Sequence, residues 1–80
     1  MRHLRLYTRQ GCHLCEDMQA QLQELQAEHG FTLELIDLDR EPGMQSAYGR
    51  RVPVLETAEG TCLCEHYLER MSLLNYLNDG

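Results

Sequence analysis

The feature that most constrains this chain is a change of period around a Gly-Cys-x-x-Cys step. Before it, His3-Leu4-Arg5-Leu6-Tyr7-Thr8 alternates apolar and polar residues, the period of a β-strand. Gln10-Gly11 interrupts the alternation. After it, Leu14, Met18, Leu22 and Leu25 recur at helical spacing with Gln and Glu between them, which predicts a helix from about Leu14 to Glu28. Gly30 stands where a helix-terminating glycine belongs. Cys12 and Cys15 therefore fall where a strand hands over to a helix.

The rest of the chain extends this start into one fold. Phe31, Leu33 and Leu35 alternate with Thr32 and Glu34, and the run continues through Ile36 and Leu38 as a second strand. Strand, helix and strand with short connections make a βαβ unit, whose strands run parallel. Asp39 as N-cap and Pro42 in the first turn predict a short second helix that ends near Tyr48, before Gly49. Val52 to Glu56 reads as a strand, Ala58-Glu59-Gly60 as a turn, and Thr61 to Cys64 as the returning arm of a hairpin. Leu68, Met71, Leu74 and Leu77 mark a final amphipathic helix, with Tyr67 and Tyr76 joining its apolar stripe in the core. The expected architecture is α/β, in the order βαβ-α-ββ-α, with a four-stranded mixed sheet flanked by helices. The 80 residues fit a single domain, 1–80, whose core is thin.

The location of Cys12 and Cys15 supplies their chemistry. The first turn of a helix presents unpaired N–H groups and the positive end of the helix dipole. A thiolate placed there is stabilised, and the thiolate is the nucleophile. The two-residue gap sets Cys12 at the exposed end and Cys15 one turn inward, where it can resolve a mixed disulfide formed on Cys12. His13, when protonated, favours the thiolate further, whereas Glu16 and Asp17 oppose it. Cys12 and Cys15 are the expected catalytic pair and redox-active disulfide, with His13 tuning the pKa. A competing reading makes the chain a zinc or iron–sulfur module held by Cys12 and Cys15 together with Cys62 and Cys64, since four thiolates suit a tetrahedral site. The Cys-x-Cys spacing of the second pair fits such sites poorly. A redox-inactive interaction domain is the third reading.

Charge and hydropathy narrow the partners. The net charge is −6 and every one of the seven basic residues is Arg, with Arg50-Arg51 as the one basic pair. Such a chain is a poor ligand for nucleic acid, where phosphate neutralisation supplies most of the affinity. No apolar run approaches the roughly 20 residues that span a bilayer. The N-terminal Met1-Arg2-His3-Leu4-Arg5 lacks the apolar stretch of a secretion signal. A cytoplasmic location is expected, where paired cysteines serve redox catalysis or metal binding more than structural bridging.

Leu6-Tyr7-Thr8-Arg9-Gln10-Gly11-Cys12-His13-Leu14-Cys15, followed by Arg51-Val52-Pro53-Val54-Leu55, resembles the glutaredoxin-like branch of the thioredoxin superfamily, and among its members small bacterial glutaredoxin-like proteins of undefined role. The resemblance covers nearly the whole chain. It implies a thioredoxin-like, glutaredoxin-type fold. It also implies a cis peptide before Pro53, with the Val52 backbone beside the cysteines, so that Arg9, Val52 and Pro53 become substrate-binding residues. The implied activity is thiol–disulfide exchange with a disulfide-bearing protein or small molecule, re-reduced by glutathione or a thioredoxin system, in a monomer without a bound cofactor. Three departures bear on glutathione. Arg9 stands where the family usually has Lys, Arg51 replaces the Thr of Thr-Val-Pro, and Cys62-Leu63-Cys64-Glu65-His66-Tyr67 replaces a glycine- and aspartate-rich stretch. With Glu65 uncompensated there, glutathione is expected to bind weakly.

Other residues carry simpler expectations. Cys62 and Cys64 share one face of a strand as small buried hydrophobes, their Cα atoms about 6.6–6.8 Å apart and poorly placed to bridge. Asp37 and Asp39 are strand-end and capping residues. His3, His29 and His66 lie on the surface. Arg9 and Arg51 are either solvated charges or an anion-attracting pair beside the cysteines.

Overall fold

A computed structural model describes residues 2–78. Four strands, β1 (His3–Thr8), β2 (Thr32–Asp37), β3 (Val54–Thr57) and β4 (Cys62–Glu65), form one sheet in the order β2-β1-β3-β4. β1 and β2 run parallel, while β3 is antiparallel to both β1 and β4. Helix α1 (His13–His29) crosses between the parallel pair, and α3 (Arg70–Asn78) follows the hairpin. The expected mixed four-stranded sheet is present.

The alternation of β1 divides the interior in two. Leu4 and Leu6 join Leu55 under α1, which contributes Met18, Leu22 and Leu25, and under Leu73 of α3. Each fully buried leucine of this layer contributes roughly 1.5–3 kcal/mol relative to exposure. Tyr7 points to the opposite face and packs with Leu38, Val54, Val52 and Tyr48. Gly30 ends α1 with φ 67°, a left-handed conformation open to glycine, and returns its N–H to Gln26 O at 2.9 Å. The chain thus turns sharply enough for Phe31 to enter the core, 2 % exposed.

Three expectations about local structure are corrected. The second helix is not one element. Two 3-10 turns, Leu38–Arg40 and Pro42–Met44, precede a single α-turn, α2 (Gln45–Tyr48). Pro42 has no N–H to donate and holds Glu41 at φ −129°, ψ 71°, outside the helical region, so the helix cannot run through. Asp39 does not cap it: Asp37 accepts the Asp39 N–H at 2.9 Å, and the Asp39 carboxylate accepts the Gln10 N–H, also at 2.9 Å. On the last helix, Met71 is 61 % exposed and the buried anchor is Leu73. The helix begins only at Arg70, so Tyr67 belongs to the preceding loop, 70 % exposed, rather than to an apolar stripe in the core.

Candidate functional site

Register brings the chemistry-bearing segments to one end of the sheet. Tyr7 pairs with Val54, and Val54 with Glu65. The 9–12 loop after β1, the 51–53 segment before β3 and the 66–68 loop after β4 therefore emerge side by side. His66 N donates to Pro53 O at 2.8 Å and ties two of these segments together. Gln10 N, held by Asp39, ties the first to the end of β2.

Gly11 has φ 71°, a left-handed conformation open to glycine, in the turn that delivers Cys12 to the head of α1. Cys12 is the N-cap, in extended conformation, and its carbonyl accepts the Glu16 N–H at 3.1 Å. Its sulfur accepts the Cys15 N–H at 3.1 Å, so an otherwise unpaired helix N-terminal donor is aimed at Sγ. Cys12 and Cys15 are joined as a disulfide, with Cα atoms 5.2 Å apart. Cys12 is half-buried and Cys15 is 2 % exposed, which is the outward–inward arrangement the spacing predicts.

The remaining candidate residues are placed as follows. The Val52–Pro53 bond is cis, as the resemblance implies. Pro53 is buried, and Val52 packs in the cluster of Tyr7, Leu38 and Val54. The His13 imidazole is 84 % exposed and leans along the helix to Asp17, 3.7 Å away. Arg9 lies 3.8 Å from Asp39 and donates to Gly49 O at 3.4 Å. Arg51 is ion-paired with Glu65, and its guanidinium lies over the Tyr48 ring, 5.3 Å from the centroid. Glu65 is thus not an uncompensated carboxylate, which corrects the reason given above for weak glutathione binding. The pairing also leaves Arg51 a poorer attractor of an anion, and it holds the Arg51 guanidinium above its ordinary pKa.

Cys62 and Cys64 do not share a face. Leu55 faces Cys64 and the next residue, Glu56, faces Cys62, so Leu63 is the extra residue of a β-bulge. Cys64 follows Leu55 and packs against the larger core cluster. Cys62 follows Glu56 to the other side and is exposed, its sulfur 4.0 Å from Glu65 Oε2. A bulge is invisible to a strict two-residue alternation, which is why the sequence placed both thiols together. Among the described residues, no three of His, Cys, Asp and Glu are grouped to hold a metal ion.

Sequence reasoning missed one cluster here. Glu56 is 6 % exposed, and it accepts from Tyr7 OH at 3.0 Å on Oε1 and from Tyr48 OH at 2.8 Å on Oε2. The two tyrosine rings stack with centroids 4.1 Å apart. Burial pushes the Tyr7 phenol up, and the bond to Glu56 pushes the Tyr48 phenol up further. The signal available was the parity of β3, which turns Glu56 to the same side as Val54.

Residues 3–78 match the model of the family described as Glutaredoxin-like domain (DUF836). The chain belongs to this family. Two solved structures agree with a glutaredoxin-like member of thioredoxin-like fold. A Nitrosomonas europaea protein solved by NMR is 41 % identical at a TM-score of 0.84, the match covering 96 % of this chain and 92 % of that one. An X. campestris protein solved by X-ray methods is 32 % identical at 0.70, covering 96 % and 97 %. Uncharacterized proteins of Mycobacterium bovis and Mycobacterium tuberculosis are 40 % identical over 55 residues, 62 % of this chain and 57 % of theirs. The match therefore spans little more than half the length of these mycobacterial relatives. Among the described residues, no helix is long and apolar enough to cross a membrane.

Proposed function

We propose that this glutaredoxin-like chain is a dithiol oxidoreductase that reduces disulfides by exchange at Cys12. The observation that carries this reading is the Cys15 N–H aimed at the Cys12 sulfur at 3.1 Å, with Cys12 half-exposed and Cys15 buried. In the reduced form the same donor and the helix dipole stabilise a Cys12 thiolate. That thiolate attacks one sulfur of a substrate disulfide and forms a mixed disulfide, and the other substrate sulfur leaves as a thiolate. The Cys15 thiolate then attacks the Cys12 sulfur, and the second substrate thiolate departs. The substrate gains two electrons, and Cys12 and Cys15 lose two in forming their disulfide. A thiol donor, glutathione or a thioredoxin system, returns them. In this reading Arg9, Val52 and Pro53 contact the substrate, and a protonated His13 adds positive charge near the nucleophile.

The substrate is a disulfide in a protein or a small molecule, and the reducing cytoplasm is the compartment such a cycle needs. Cys15→Ser, mixed with an excess of a disulfide substrate, should accumulate a mixed disulfide on Cys12 that mass spectrometry detects. Cys12→Ser should be modified only slowly, at the exposed Cys62. A Cys15→Ser protein that stays unmodified, or is modified at Cys62 ahead of Cys12, would remove this reading.

A further inference from the structure

A cleft of about 170 Å³ opens between the first turns of α1 and the loop that follows β4. Leu14, which sits between Cys12 and Cys15 in the chain, forms its walls with Met18 and Leu68. Asp17, His66 and Tyr67 line it as well. A cavity of about 150 Å³ holds a benzene-sized ring, so the cleft is the size of one large apolar side chain. Among the described residues no Lys or Arg lines it, and Asp17, 57 % exposed in a chain of net charge −6, has only the 84 % exposed His13 imidazole of its own helix 3.7 Å away, which leaves its outer side open to a second cation.

We infer that the cleft docks the polypeptide that carries the substrate disulfide, taking a large apolar side chain next to the reacting cysteine, with a neighbouring Lys or Arg set against Asp17. This rests on disulfide exchange at Cys12 and adds the class of substrate. The argument is continuity and charge. Leu14 joins the cleft to the reactive pair, so a chain presenting its disulfide to Cys12 has a flanking side chain within reach. A basic segment is drawn to an acidic protein, whereas glutathione finds no Lys or Arg in the cleft and a second copy of this chain carries the same excess of negative charge.

The test uses the full reduced chain and short peptides whose single cysteine is held in a mixed disulfide with 2-mercaptoethanol. The flanking pair is Phe and Arg, Ala and Arg, Phe and Glu, or Ala and Glu. Bis(2-hydroxyethyl) disulfide, uncharged and without side chains, reports the exchange chemistry alone. Phe should exceed Ala by roughly 10-fold in second-order rate. Arg should exceed Glu by about twofold to fivefold, and less at high salt. Asp17→Lys should bring the Arg-to-Glu ratio to one or invert it; the ratio cancels any change in Cys12 reactivity. Tyr67→Ala should lower the Phe-to-Ala ratio. Peptides that all react alike while the small disulfide is reduced would overturn the docking site and leave the oxidoreductase reading standing. No reduction of the small disulfide would remove both. A preference for Glu, or a dimer in sedimentation that Asp17→Lys dissociates, would also overturn it.

Discussion

Tyr48 donates its phenol proton to Oε2 of Glu56 at 2.8 Å, and this bond holds one side of a carboxylate that is otherwise shut inside the protein. Tyr7 holds the other oxygen at 3.0 Å. Leaving a buried acceptor without a donor costs roughly 1–3 kcal/mol. Tyr7 is 4 % exposed, so no water can replace its hydroxyl, whereas Tyr48 is half-buried and water can. Tyr7→Phe should therefore lower unfolding stability in urea more than Tyr48→Phe. Equal losses, or a loss under about 0.5 kcal/mol for Tyr7→Phe, would contradict the account.

The same two phenols make stability depend on alkaline pH. Each ionises in the unfolded chain near the ordinary tyrosine value of 10.0 and in the fold only above it. The unfolded chain thus releases protons that the native state keeps. The stabilisation is complete below about pH 10 and is lost as pH rises toward the raised native values. The urea midpoint should fall with pH in that range, and the Tyr7→Phe/Tyr48→Phe double variant should show a shallower fall. Equal slopes for the two proteins would count against it.

Thiol reactivity should separate Cys12, Cys62 and Cys64 after reduction. Cys12 combines partial exposure with the Cys15 N–H donor and should react first. Cys62 is exposed and should follow. Cys64 is half-buried, and burial pushes its thiol up, so it should be slow at neutral pH. Timed iodoacetamide labelling with peptide mapping gives the order. Labelling of Cys62 ahead of Cys12 would undo the assignment of the nucleophile.

Glutathione should bind weakly, because Glu65 engages Arg51 and Asp39 lies beside Arg9. Glu65→Gln frees the Arg51 guanidinium and removes a negative charge at once. The pair is more than a third exposed, so solvent screens it, and the expected gain in glutathione affinity is about twofold to fivefold. Backbone amide shifts during a glutathione titration of both proteins measure it. Saturable sub-millimolar binding by the unsubstituted protein would contradict the expectation.

Periodicity alone carried the main elements. β1 was readable because Leu4 and Leu6 alternate with polar neighbours, and α1 because Met18, Leu22 and Leu25 all need the same wall. Cys12 and Cys15 were legible as a pair because a helix start offers its free N–H groups to whatever residue stands there, which is a local property of the chain. The cis bond before Pro53 was legible only through resemblance, since nothing in the neighbouring residues dictates it.

What the tertiary structure decided is where separate segments meet. Asp39 capped nothing in its own helix because the Gln10 N–H, distant in sequence, is brought to it. The bulge at Leu63 sends Cys62 and Cys64 to opposite faces, and a one-residue shift in pairing reverses every side chain after it. Glu56 lies among tyrosines from β1 and α2, and Arg51 lies against Glu65 across the loop. The cleft that Leu14 lines depends on how the 66–68 loop settles on α1, a packing outcome that no local period encodes. The strands, the first helix and the cysteine pair at its head were in the sequence because each rests on residues close along the chain. The charges and surfaces around that pair were not, because each is a contact between segments that only the closed sheet brings together.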